Sequence, residues 1–189
     1  MLITSFYDNA FSRQFAVRLR RSSESLGIKC RLFNRTERGK APPGTGWMPK
    51  FLFDTLKAYP DDDLLLIEPD TSIHRRPDIL LDEKDYDVAV HYDSETLAAS
   101  GPVFVANNRR VQAMIPLWEE LDRRYPERSE LDNLSEALGR RHSGLVVRRL
   151  PVTYAWIEQD HRTKYPRALP VFTHFKTDHL SSTRIKIPS

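Results

Sequence analysis

Apolar and polar positions along the chain follow two periods, one of strands and one of helices. Leu2–Tyr7 (LITSFY) is a short apolar run that stops at Asp8-Asn9, a helix-start signal. Over residues 11–26 the apolar positions return at helical spacing. Phe11, Phe15, Leu19 and Leu26 can share one face, while Arg13, Arg20 and Arg21 decorate the rest. Gly27 stands where glycine commonly ends a helix, and residues 28–33 (IKCRLF) alternate as a half-buried strand. This opening predicts a β–α–β unit with a parallel strand pair. Residues 35–46 (RTERGKAPPGTG) read as a loop, and residues 47–59 as a second helix broken by Pro60. The continuous apolar run 64–67 is expected of a central strand buried on both faces. Residues 86–91 (YDVAVH) and 101–106 (GPVFVA) are further strands. Residues 108–125 form a helix that Pro116 should kink or restart. Residues 129–138 form a short helix with Ser129 as N-cap, and 145–147 and 171–174 are late strands. The alternation predicts an α/β fold with a mainly parallel central sheet flanked by helices.

A length of 189 residues fits one domain spanning residues 1–189. Cys30 is the single cysteine, which excludes an intramolecular disulfide or a cysteine-based zinc cluster and fits a reducing compartment. No apolar run approaches the roughly 20 residues of a membrane span, and the first residues lack the pattern of a secretory leader. The expected location is cytoplasmic.

Charge sharpens the picture. The net charge of +3 hides a segregation: residues 1–60 hold 11 Lys/Arg against 4 Asp/Glu, whereas residues 61–100 hold 3 against 12. An acidic centre between basic arms suits a cation site in a protein that handles anions; solvated faces are the plain alternative. Arg18, Arg20, Arg21, Arg35, Arg38 and Lys40 could lie along nucleic-acid phosphates or make peripheral contact with an anionic membrane.

The acidic centre contains LLLIEPDTSI, residues 64–73, in which an apolar strand runs into two carboxylates separated by a proline. Ligand sites in open α/β sheets lie beyond the carboxyl ends of strands. Strand alternation would direct Glu68 and Asp70 to the same side, and Pro69 limits their freedom. Two hard oxygen ligands suit Mg²⁺ or Mn²⁺. The competing reading is a strand capped by a solvated acidic turn.

The surrounding order of landmarks resembles the GT-A glycosyltransferases, in particular the family 8-like nucleotide-diphospho-sugar transferases. LLLIEPDTSIHRRPDIL matches an apolar strand, a D-x-D-T and a Pro-Asp segment. DYDVAVHYD, ASGPVFVANN and the Trp-containing VQAMIPLWEEL follow in family order. Leu131-Asp132-Asn133 stands for an Asp-Gln pair, VVRRLPVTY for a Leu-Pro strand, and VFTHFKTDH for the late His and Lys. The resemblance runs over roughly residues 2–179. It implies a Rossmann-like nucleotide-diphospho-sugar transferase fold and a metal-dependent transfer of sugar from a nucleotide-diphosphate donor, a UDP-sugar by expectation, with retention of configuration. The acceptor would be a hydroxyl on a glycan, protein, small molecule or modified nucleic acid.

The resemblance also implies roles. Glu68, Asp70 and His174 would hold Mn²⁺ or Mg²⁺, with His179 as substitute for His174, although Glu68 replaces the family's first Asp. Thr4, Tyr7 and Asp8 would meet the nucleotide, Lys50 and Lys176 the phosphates or sugar, and Ser100-Gly101 the donor sugar. Asp132 would serve the reaction centre. Each residue also has a structural reading: Asp8 as a helix cap, His174 as a core-edge histidine, Lys50 as an ordinary surface charge. A non-catalytic nucleotide-sugar or nucleic-acid binding module is the competing class.

Overall fold

The computed structural model describes residues 1–35, 47–83, 85–95, 101–139 and 144–175. The chain opens as β1 (Leu2–Tyr7), α1 (Ala10–Ser25) and β2 (Lys29–Asn34), with β1 and β2 parallel in the register Leu2↔Lys29. Asn9, rather than Asp8, caps α1: its side chain accepts from the Ser12 N–H at 2.9 Å, and Ser12 Oγ accepts from the Asn9 N–H at 3.2 Å. Gly27 ends the unit with φ +70°, a left-handed value that glycine adopts without strain. Ala16, Leu19 and Ser23 form the buried stripe of α1. Phe11, in the first turn, stays 51% exposed and packs edge-on against Phe15.

The chain continues through α2 (Trp47–Ala58), β3 (Leu64–Leu66), β4 (Thr71–Ile73), α3 (Asp78–Asp82), β5 (Val88–Val90) and β6 (Val103–Val105). Then come α4 (Arg109–Arg124), α5 (Glu130–Gly139), β7 (Val147–Arg149), β8 (Trp156–Ile157), α6 (Glu158–His161) and β9 (Phe172–His174). The main sheet has the order β2-β1-β3-β6-β5-β7. Its pairs are parallel except those of β6, which runs against both β3 and β5. A smaller sheet, β4-β9-β8, sits beside it. Pro116 leaves α4 unbroken. Its ring lies on the exposed side, where water can serve the carbonyl that the missing N–H leaves free.

Strand alternation sorts the core into two layers. Leu2, Leu64, Leu66, Val88, Val90, Val103 and Val105 face Leu52, Met114, Trp118 and Leu134 of α2, α4 and α5. Ile3, Leu65, Ile67, Ala89 and Phe104 face Leu19, Ile73 and Phe172 of α1 and the small sheet. Burying each such side chain contributes about 1.5–3 kcal/mol. Two polar ties hold the far edge. The buried Asp87 carboxylate accepts from Arg110, Asn108 and the Val146 N–H at 2.7–3.0 Å. Asn107 donates to the Leu56, Tyr59 and Pro60 carbonyls, closing the C-terminus of α2. Among the described residues, no helix is long and apolar enough to cross a membrane.

Candidate functional site

The main sheet positions its acids with a turn. β3 ends at Leu66, and the Thr71 N–H donates to the Glu68 carbonyl at 3.2 Å, closing Glu68-Pro69-Asp70-Thr71. Pro69 takes the second position of that turn, which its fixed φ suits. The two carboxylates are therefore brought together by chain reversal, not by strand alternation. The turn feeds into β4, where Thr71 stands opposite His174 of β9. The Phe175 N–H donates to the Asp70 carbonyl at 3.2 Å and ties the turn to the late strand.

Glu68, Asp70 and His174 each offer a ligand atom within 4.8 Å of the other two. Glu68 is exposed, Asp70 half-buried, and His174 buried at 6% exposure. His174 Nδ1 lies 2.9 Å from Thr71 Oγ1 and 3.7 Å from Glu68 Oε2. Its Nε2 is buried and has no hydrogen-bond partner among the described residues. A Cβ on Gly101, whose φ is +152°, would come within 3.5 Å of that Nε2 and 3.1 Å of Ala155 Cβ. Two oxygen donors, an orphaned imidazole nitrogen and a cradle kept open by a glycine fit a hard divalent cation.

Beside this cluster opens a cavity of about 190 Å³ lined by Phe6, Met48, Glu68, Gly101, Ser129 and Glu130, among others. Phe6 of that lining is met edge-on by Trp47 at 4.5 Å, and Trp47 in turn stacks on Phe51 with ring centroids 5.1 Å apart. The Arg35 guanidinium lies over the Trp47 ring at 4.6 Å and 4.0 Å from Asp8 Oδ2. Glu130 faces the cavity from the first turn of α5. Burial raises its carboxyl above the ordinary range and the Asp122 charge adds to this, against the opposing Met48 N–H and Arg35.

The candidates read from sequence fall in different places. Glu68, Asp70, His174 and Gly101 converge. Thr4 lies inside β1, fully buried, its Oγ1 without a hydrogen-bond partner among the described residues, and Tyr7 is half-buried at the strand's end. Lys50 is exposed on α2 and paired with Asp54 at 3.1 Å. Asp132 serves the start of α5: its Oδ2 accepts from the Ser129 N–H at 3.1 Å and hydroxyl at 2.8 Å, while Ser129 Oγ accepts from the Asp132 N–H at 3.1 Å. This is a reciprocal capping box. Ser100, Lys176 and His179, like Arg38 and Lys40 of the basic arm, lie outside the described residues. Glu130 was not among the candidates. The spacing Ser129-x-x-Asp132 assigns Asp132 to the cap, and no local signal places Glu130 beside the cavity.

Comparisons with known proteins bear on the fold and the family. The family profile described as nucleotide-diphospho-sugar transferase matches residues 61–187. No curated protein sequence gives a significant match. Among solved structures, a glycosyltransferase involved in glycosylation of the major capsid of PBCV-1 superposes with a TM-score of 0.69 at 9% identity, over 92% of each chain. The galactosyltransferase LgtC, solved with donor and acceptor sugar analogs, gives 0.58 at 11% identity, over 93% of this chain and 87% of that one. GlyE of Streptococcus pneumoniae TIGR4 gives 0.57 at 9% identity, over 98% of this chain and 57% of its own. These identities are too low to carry more than the fold, which is that of the GT-A glycosyltransferases. The profile covers about two-thirds of the sequence, including the Glu68–Asp70 turn and the late histidine, and the chain belongs to the nucleotide-diphospho-sugar transferase family.

Proposed function

We propose that the protein transfers a glycosyl group from a nucleotide-diphosphate sugar, with a UDP-sugar as donor, to a hydroxyl acceptor in a reaction that depends on Mn²⁺ or Mg²⁺ and retains anomeric configuration. The observation that carries the reading is the convergence of Glu68, Asp70 and His174 within 4.8 Å at the rim of a cavity. When bound there, the cation would offset the negative charge that grows on the departing diphosphate. Glu68 and Asp70 supply its oxygen ligands and His174 its nitrogen ligand. Gly101 leaves the cavity floor without a side chain, so a sugar can approach the backbone. Glu130 presents a carboxyl that can hydrogen-bond sugar hydroxyls, the role the family resemblance had put on Asp132. Retention rests on the family 8 resemblance; in a retaining reaction the leaving phosphate could itself assist the incoming hydroxyl.

The test is a panel of nucleotide-sugars with and without Mn²⁺, read by thermal shift and by release of free nucleoside diphosphate. Stabilisation by one uridine-linked sugar that requires Mn²⁺, lost in Glu68→Ala and Asp70→Ala with folding intact, supports the assignment. Binding without release, even with acceptor hydroxyls present, would support the non-catalytic module instead. Normal turnover in both variants would remove the acids from the site. The anomeric coupling constant of the product, measured by proton NMR, decides retention.

A further inference from the structure

Thr71 is buried at 1% exposure and stands directly opposite His174 across the antiparallel β4–β9 pair, its Oγ1 2.9 Å from His174 Nδ1. The neutral imidazole carries one proton, and two arrangements are possible. With the proton on Nε2, a buried N–H would have no acceptor among the described residues, where that nitrogen makes no hydrogen bond. With the proton on Nδ1, it is donated to Thr71 Oγ1, and Nε2 is left as an unshared lone pair. Orphaned buried N–H donors are rarer in proteins than under-satisfied acceptors. The Glu68 carboxylate, 3.7 Å from Nδ1, also favours a proton on that side. Oγ1 is the one atom within hydrogen-bonding distance of the ring nitrogens among the described residues.

We propose that Thr71 is a positioning residue: by accepting the Nδ1 proton it holds His174 in the tautomer whose Nε2 lone pair is free for a divalent cation. The inference rests on the metal reading of the same cluster and adds a residue that need not touch the metal or the sugar. Outer partners of this kind typically change metal affinity 10–100-fold. Threonine suits the place because it fills a buried strand position and carries a hydroxyl oxygen of the right reach.

The experiment compares wild type, Thr71→Val and Thr71→Ser. Valine keeps the shape and removes the oxygen; serine keeps the oxygen. Two-bond proton–nitrogen NMR of the metal-free protein, at a pH where imidazole is neutral, reads the tautomer, with His174→Gln identifying the signal. Wild type and Thr71→Ser should show Nδ1–H. Thr71→Val should move toward Nε2–H and bind Mn²⁺ about 10–100-fold more weakly by electron paramagnetic resonance. An Nε2–H wild type would overturn the proposal. So would a Thr71→Val protein with unchanged tautomer and unchanged Mn²⁺ affinity. Should wild type bind no Mn²⁺, the proposed function fails by itself, and the NMR comparison still decides whether Thr71 sets the tautomer.

Discussion

The Asp122 carboxylate of α4 accepts a hydrogen bond from the Asn133 side-chain amide of α5 at 2.9 Å, with both residues at 1% exposure. Asp122 Oδ2 and Asn133 Oδ1 make no hydrogen bond among the described residues, the nearby Trp118 indole N–H being donated to the Glu130 carbonyl at 3.0 Å. A proton on the Asp122 carboxyl would give it a donor that the carboxylate lacks. Burial raises the Asp122 carboxyl above its ordinary range, hydrogen bonding opposes this, and the Glu119 charge adds to it.

A pH dependence follows. An acid whose pKa is higher in the folded chain holds its proton longer there than when unfolded. Its contribution is full at low pH and is lost as pH rises through the folded pKa. Asp122→Asn supplies a permanently neutral partner for Asn133. Urea midpoints measured from about pH 4 upward should fall less with pH in Asp122→Asn than in wild type. Parallel curves would show that Asp122 is charged in the folded protein.

The acids at the start of α5 should separate by function. Asp132→Ala removes half of the Ser129 capping box and should cost about 1 kcal/mol of stability while leaving donor turnover within a few-fold. Glu130→Gln keeps the shape and the Met48 contact and should lower turnover at least tenfold with an unchanged melting temperature. Chemical denaturation and nucleoside-diphosphate release, run on both variants, check the pair. A dead but stable Asp132→Ala would return the reaction centre to that residue.

Gly101→Ala places a methyl group 3.1 Å from Ala155 Cβ, on a backbone whose φ of +152° disfavours any side chain. Such strain costs on the order of 1–3 kcal/mol. The shift it forces should also weaken Mn²⁺ binding, because the same methyl would stand 3.5 Å from His174 Nε2, in the space beside that nitrogen that a cation would need. Calorimetric unfolding and Mn²⁺ titration measure the two effects, and a variant with wild-type values in both would show that the cradle is not tight.

Removing the Asp87 carboxylate should be costly far from the site. Burial alone would raise its pKa, but the Val146 N–H, Arg110 and Asn108 outweigh burial and hold it below the ordinary range. A lowered acid contributes stability above its unfolded pKa and loses it as pH falls. Asp87→Ala orphans these donors and should destabilise by about 1–3 kcal/mol, most clearly near neutral pH. Denaturation at two pH values checks both size and direction.

Much of the frame was legible because its signals are local. Continuous apolar runs marked β3 and β6, Asp8-Asn9 and Ser129 marked helix starts through side-chain hydrogen-bonding chemistry, and Gly27 marked a helix end through its tolerance of a left-handed backbone. The small sheet was hidden for the opposite reason. β4 and β8 are two or three residues long, and only pairing with β9, about 100 residues further on from β4, makes them strands. For the same reason His174 entered through family resemblance, since nothing in its own neighbourhood announces Glu68. The acids were expected together on strand periodicity, but a proline turn performs that task. The spacing Ser129-x-x-Asp132 carries a local capping signal, whereas the place of Glu130 beside the cavity depends on how α5 packs and has no local signal.

The reversed direction of β6 has a geometric consequence. In a sheet of uniformly parallel strands, the residues that lead into a strand and those that leave its neighbour lie at opposite edges. Here Leu66 pairs with Val103 in antiparallel register. Extending that register by two residues sets Glu68 level with Gly101, so the exit of one strand and the entrance of the next share a rim. A single-residue insertion at Pro102 would break that alignment and leave both strands in place, and the chain would keep its architecture while losing its pocket.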